Sequence, residues 1–328
     1  MVPDVSTVPH VSLTPASARA PSGRARVVVA ALTALGYPGL LWCGVRLSPA
    51  FVVLSLAVPL LGVVAAGAPV AQRARTETAI AHLVVAAPPL FSALGGWLDF
   101  QRAVPIGSLG VWLALWSTLV VVAARSRAHP ATATTPAPHR LAIAHGISAA
   151  VIMLFALPHL VNHLAGVLGG DAHVAMMTEL RRVYRHRLVE PVLLAAVAFQ
   201  VGSGLWLLWR KLSLVRGWLD TLQTLSGAYL LIFFLSHVSA VLRARLLRGV
   251  DPNWTWLSGG ELLTDPWSVR LAPYYFLAVI ALGLHAACGL CAVLRGHRIA
   301  IRSTVIVAAL GSLAAAVSAL IMLGLFRA

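Results

Sequence analysis

The sequence predicts an all-α fold: a polytopic transmembrane helix bundle of about nine spans, arranged as four plus five. Three observations lead there. Of 328 residues, 59% are hydrophobic and only 11% charged, with a mean hydropathy of +0.86, whereas soluble domains carry about 25% charged residues. Apolar runs recur at close to the roughly 20 residues needed to cross about 30 Å of hydrocarbon. The 25 Lys and Arg, against 10 Asp and Glu, gather at the ends of those runs. In a soluble chain a net charge of +15 would suggest nucleic acid. At span ends it meets anionic head groups, so the lipid bilayer is the expected partner and nucleic acid is not. Three cysteines cannot build a disulfide framework.

Taken in order, residues 1–26 are rich in Pro, Ser, Thr and Arg without apolar periodicity, and read as a disordered cytoplasmic tail. The run Val27–Val45 lacks a small-residue cleavage site and is long for a signal h-region, so it is expected to be retained as a span. With Ala50–Ala68, Ala79–Trp97 and Pro105–Ala124 it makes a four-helix membrane region over 27–124. Pro88 and Pro89 imply a kink in the third span. Residues 125–140, RSRAHPATATTPAPHR, form an extended linker. The five-helix region, 141–328, holds Leu141–Leu168, Pro191–Trp209, Thr221–Leu242, Leu271–Leu294 and Ser303–Phe326.

Short loops bearing Arg24, Arg26, Arg73, Arg75, Arg125 and Arg127 fall on one side, followed later by Arg210, Lys211, Arg295 and Arg298. The positive-inside rule therefore places the N-terminus in the cytoplasm, with the protein in a bacterial plasma membrane. The arginines at 181–187 and 243–248 lie in long outer loops, where that rule is weaker. Asp171–Arg187 has an Asp at its start, Val174, Met177, Leu180 and Tyr184 on one face, and four arginines in its last turns. An interfacial amphipathic helix with arginines on lipid phosphate is expected. Trp254, Trp256 and Trp267 read as interface anchors.

No Asp, Glu, Lys or Arg is expected mid-span; Glu77, Asp99, Glu190 and Asp220 sit at span ends. The spans carry histidines instead: His82, His145, His159, His163, His237 and His285. An imidazole without a carboxylate partner suits haem iron. His145 and His159 are fourteen residues apart, which returns to within about 40° of one helix face at a rise of about 21 Å. One helix can thus offer a ligand near each membrane surface. Depth counting at about 1.5 Å per residue pairs His159 with His237 closely and His145 with His285 more loosely. His163, one turn beyond His159, is an alternative outer ligand.

The competing account is that these histidines only pack helices through hydrogen bonds. Packing is the expectation for His82, and a surface position for His173, His186 and His297. Cys288 and Cys291 share a helix face as CGLC, which suits a redox dithiol or, more simply, small-residue packing. The absence of a following histidine (Ala292 stands there) rules out a c-type haem attachment.

From about His145 onward the chain resembles the membrane-anchor cytochrome b subunits of succinate dehydrogenase and fumarate reductase. The resemblance rests on IAHGIS, PHLVNHL, LSGAYLLIFFLSHVSAVL and YYFLAVIALGLHAACGL across five spans. It implies one or two b-type haems held by His145, His159, His237 and His285, electron transport with membrane quinone, and a separate redox subunit that does any substrate chemistry. A quinone site would then border Tyr184 and Arg181. The chain departs from that family's two-haem pattern in its second span, which has Gln200 and no histidine, and in its extra four-helix half. The whole chain, AHLVVAAPPLFSALGG included, also resembles a group of bacterial multi-pass membrane proteins, whose activity the resemblance does not supply. The alternative function is a haem-free permease or assembly factor.

Overall fold

The computed structural model describes residues 23–67, 75–98, 106–126, 139–212, 217–254, 265 and 268–327. These are helical, with no strand among the described residues. The first apolar run breaks into α1 (Gly23–Leu35) and α2 (Tyr37–Arg46), inclined at 42°. The second is α3 (Ala50–Ser55) and α4 (Ala57–Ala66), jointly shorter than the roughly 20 residues of a full span. The third bends by 72° between α5 (Arg75–Val85) and α6 (Ala87–Leu98). The prolines account for that break: neither Pro88 nor Pro89 has an N–H to continue the α5 ladder.

Longer helices follow: α7 (Ile106–Arg125), α8 (His139–Ala165), α9 (Gly170–Tyr184), α10 (Val189–Lys211), α11 (Gly217–Arg248), α12 (Leu271–Gly296) and α13 (Ser303–Arg327). Six helices are long and apolar enough to cross a membrane, and eight if each bent pair is one span. The expected count of nine falls short at Ala50–Ala66. The tail 1–22, residues 127–138 of the linker, Asp99, Trp256 and Trp267 lie outside the described residues.

The first half packs on small residues. Ala30, Ala31 and Ala34 of α1 are fully buried and let α4, α5 and α7 approach closely. Its centre is aromatic: Tyr37, Phe91 and Trp112 meet edge-on or tilted at 5.1–6.0 Å, and the Trp112 indole donates to the Ala34 carbonyl at 3.0 Å. This half docks on α11 through polar contacts at both ends. His82 Nε2 meets Thr224 Oγ1 at 3.0 Å; Trp97 Nε1 donates to Ser239 Oγ at 3.3 Å, and Arg243 donates to the Gly96 carbonyl at 2.6 Å. His82 is therefore a packing residue, as its sequence context predicts, bonded on both nitrogens with Thr78 O at 2.7 Å from Nδ1.

In the second half α11, α12 and α13 form a close-packed unit, with Gly283 against Ala314 and Gly311 against Leu284. The opposite wall is looser. Helix α8 packs along α10, folds back onto α9 and touches α13, but makes no comparable backbone approach to α11 or α12. A crevice therefore runs between α8 and the α11–α12 wall.

Two expectations change at the end of that crevice. Trp254 is no interface anchor: it is 4% exposed, with its ring against Gly166 and Gly170. Nor does Asp171 cap α9, which starts one residue earlier after Gly169, whose φ of 127° favours glycine. The expected face of α9 holds at Met177, Leu180 and Tyr184 but not in its first turn. His173 and Met177 are buried while Val174 is exposed.

Close backbone approach makes Gly62 the most demanding position in the first half. A Cβ there would lie 2.8 Å from Val85 N and 3.0 Å from Ala81 O. Gly62→Ala should destabilise the detergent-solubilised protein by about 1–3 kcal/mol, read as a lowered thermal midpoint. Gly110→Ala, where nothing lies within 4 Å, should leave the midpoint unchanged or raise it.

Candidate functional site

The crevice opens into a cavity of about 290 Å³ bounded by α8, α9, α10, α11, α12 and α13. That lies at the small end of the range of about 300–1,000 Å³ for sites that take organic ligands. Its interior is apolar, with Leu193, Val197, Leu230, Val279 and Ile321 in the wall. Histidines from three helices interrupt that lining: His159 and His163 from α8, His173 from α9 and His237 from α11.

His159 and His237 face each other across the cavity, ring centroids 6.3 Å apart. Each is held by a phenylalanine one turn earlier. His159 stacks on Phe155 at 5.2 Å and 20°, and His237 on Phe233 at 5.1 Å and 8°. Among the described residues neither imidazole makes a hydrogen bond, and both rings are half-buried against the cavity. His163 packs against His159 at 4.6 Å and against His173 at 5.3 Å. It does not face His237, so the geometry favours His159 as the residue opposite.

The Nδ1 atoms of His163 and His173 are buried without a partner among the described residues. His173 Nε2 accepts from the Asn162 amide at 3.1 Å, and the residue is 3% exposed rather than on the surface. Burial and the nearby Arg181 charge lower its pKa from 6.5 and keep the ring neutral.

The second histidine pair lies along α8 toward its N-terminus. His145 and His285 have ring centroids 6.5 Å apart, at 80°. His285 Nδ1 meets the Gln223 carbonyl at 3.0 Å, so Nδ1 carries the proton and Nε2 the lone pair. His145 Nδ1 lies 2.8 Å from Ser203 Oγ, which donates onward to Phe199 O. Its Nε2 therefore accepts, and the donor is the Gln200 amide at 2.9 Å. A Cβ at Gly227 would sit 3.0 Å from His285 Cε1, and one at Gly204 would sit 3.3 Å from His145 Cε1. Glycine at both places lets the rings pack into the neighbouring helix.

The donor set can be tested against a haem iron. Two imidazoles on opposite sides of one metal ion place their centroids about 6 Å apart, from two metal–nitrogen bonds of about 2 Å and two ring radii of about 1.1 Å. Both pairs have that separation. The His285 Nδ1 contact with a backbone carbonyl is the outer-shell arrangement that fixes a ligand's tautomer. Among the described residues no three His, Cys, Asp or Glu side chains converge as a single multi-ligand metal ion would require. The chemistry suits a two-imidazole centre, with the His159 pair unencumbered and the His145 pair carrying a Gln200 hydrogen bond on one ligand nitrogen.

At the mouth, Arg181 and Arg185 turn inward rather than toward lipid. Both bond Asp251, Arg185 at 3.0 Å, and Arg181 also bonds the Pro252 carbonyl. Arg245 pairs with Glu190. Tyr184 lines the cavity, edge-on to Phe155 at 5.2 Å. Spacing alone did not reveal this role of the arginines, because their carboxylate partner is about 70 residues away in the chain.

Elsewhere, Cys288 and Cys291 are buried in a satellite apolar cluster with Ala287 and Val307, as packing predicts. Glu77 is 2% exposed and bonded by the Ser126 hydroxyl, so it is no simple span-end charge. Comparison of the chain with protein-family models, curated proteins and solved structures returned no match.

Partial burial pushes the Asp251 carboxyl up, but hydrogen bonds and charge from Arg185 and Arg181 outweigh it, so its pKa lies below the ordinary carboxylate value. A depressed folded pKa gives stability that is present above the unfolded value of about 3.9 and is lost as pH falls through the folded value. The thermal midpoint of Asp251→Asn should therefore lie below wild type at neutral pH, and the gap should close below about pH 4. A gap independent of pH would mean that the two arginines do not hold the carboxylate in the folded state.

Proposed function

We propose that the chain is a b-type haem protein of the bacterial plasma membrane, an anchor-like subunit that passes electrons between the quinone pool and a redox partner. One observation carries this reading. Two histidine pairs, with ring centroids 6.3 Å and 6.5 Å apart, lie at different depths along α8, and the first of them lines the cavity. Fourteen residues of α8 separate His145 from His159, a rise of about 21 Å, so the two levels lie toward opposite membrane faces.

When bound, haem would supply one-electron chemistry at a potential set by the residues that hold it and by its surroundings. The residues of the chain do the rest. His159 and His237 are pre-positioned by their stacked phenylalanines, which limits reorganisation on ligation. Leu193, Val197, Leu230 and Ile321 exclude water from the crevice and keep its dielectric low. Ser203 and the Gln223 carbonyl hold the protons on the Nδ1 atoms of His145 and His285, so each Nε2 carries the lone pair, and that of His145 would have to give up its Gln200 hydrogen bond to hold iron. Tyr184 stands beside the outer pair, where a quinone head group would approach.

A second reading has support at the His145 level alone. The Gln200 amide occupies His145 Nε2 while its carbonyl accepts from Ser148. That closed hydrogen-bond set is what a haem-free permease or assembly factor would use to pack α8 on α10.

The reduced-minus-oxidised spectrum and pyridine haemochrome content of detergent-purified protein from haem-replete cells separate these readings. The expected result is b-type absorbance, lost at one site in His159→Ala or His237→Ala. If two haems are present, His145→Ala or His285→Ala should remove the second. One haem insensitive to His145→Ala would assign the inner pair to packing, and a colourless, folded protein would overturn the haem reading.

A further inference from the structure

We propose that the cavity mouth is an acid-recognition site, built to take the carboxylate end of an amphiphile whose apolar body occupies the crevice. The body rests on the haem reading; the acid end rests on the arginines. Three guanidiniums, Arg181, Arg185 and Arg245, line one end of a cavity whose remaining wall is mainly apolar apart from its histidines. Among the described residues only two carboxylates, Asp251 and Glu190, answer them. The mouth keeps a positive charge.

Donor accounting gives the same result. Asp251 takes Arg181 through Nη1 and Arg185 through Nη2, one guanidinium on each carboxylate oxygen. Arg181 spends Nη2 on the Pro252 carbonyl. The Nε–H groups of both arginines are buried and have no partner among the described residues. Such a donor costs free energy unless something accepts from it. Two orphaned guanidinium donors in the wall of one cavity call for an oxyanion, and a charged acceptor makes the strongest of these bonds.

The same chemistry bears on the quinone expectation at Arg181 and Tyr184. A quinone head is neutral and would leave the surplus charge unanswered. A haem has two propionates on one edge and an apolar opposite edge, which matches arginines at the mouth and leucines within. A long-chain fatty acid shares the carboxylate and the apolar body. The ligand class is therefore a carboxylate-bearing amphiphile.

The test uses three probes on the full chain, purified in detergent and depleted of ligand: haem, haem dimethyl ester and oleate. The ester keeps the iron and macrocycle and removes both carboxylates. Each probe is titrated into wild type, Arg185→Gln and Arg185→Lys, with circular dichroism and thermal midpoint checking that the variants fold. Because the Arg185 side chain, unlike that of Arg181, bonds no backbone carbonyl among the described residues, its change should spare the fold better than a change at Arg181.

Haem binding about tenfold or more tighter than its ester, with the margin lost in Arg185→Gln and largely kept in Arg185→Lys, is the expected result. Equal affinity for haem and ester in wild type would overturn the acid end while leaving the haem reading intact. If neither haem nor ester binds but oleate does, and Arg185→Gln weakens it, the acid site stands and the haem reading fails. If no probe binds, or if oleate binds regardless of Arg185, the proposal is overturned.

Discussion

The fold depends on one constraint: a polar group inside an apolar crevice must find a partner. Lipid offers none, so each such group must be satisfied by the protein or by something the protein holds. Most of the interior obeys this locally. The serine and threonine hydroxyls of α10 and α11 return to carbonyls a turn earlier, His82 is bonded on both nitrogens, and Trp112 donates to α1. The crevice between α8 and the α11–α12 wall adds Nδ1 of His163 and His173 and Nε of Arg181 and Arg185, which have no partner among the described residues. The first half holds other such atoms, Tyr37 Oη and Trp116 Nε1 among them, but those do not line the cavity.

Helix α11 connects the two halves. One face gives Thr224, Ser239 and Arg243 to the bent pair α5–α6, and another gives His237 and Phe233 to the cavity. The first half thus braces the wall that carries one member of each histidine pair, since Gln223 of the same helix orients His285. A four-helix region with no cavity histidine of its own acquires a role as a buttress. The 72° bend shortens the reach of α5–α6 and brings Gly96 and Trp97 against the far end of α11.

Much of this was legible in the sequence because bilayer physics writes a coarse signal. Span length, the proline break at 88–89 and the depth of His159 against His237 all follow from a fixed rise per residue and a fixed hydrocarbon thickness. Helix rotation is not written so plainly. The apolar face of α9 was read through Val174, yet the structure buries His173, because a cavity holding polar residues rewards a different stripe from a lipid surface. The Arg181–Asp251–Arg185 cluster was hidden for another reason: it depends on a strap after α11 whose only sequence mark, Trp254, looks the same as an interface tryptophan. Gln200 stood out as a departure from a two-haem pattern, and the hydrogen bond it makes to His145 depends on α8 and α10 packing side by side.

Helix α11 has 32 residues and so runs about 48 Å, against a hydrocarbon core of about 30 Å. Part of it must lean or project beyond the lipid tails. Its C-terminal turns carry Arg245 and lead into Asp251, so the mouth of the crevice is mounted at one end of this long helix. Bilayer thickness therefore bears on the surroundings of that end. In a thin membrane the arginine rim stands clear in water, where its charges are screened; in a thicker one it sinks to the phosphate level, where lipid competes for the same guanidiniums.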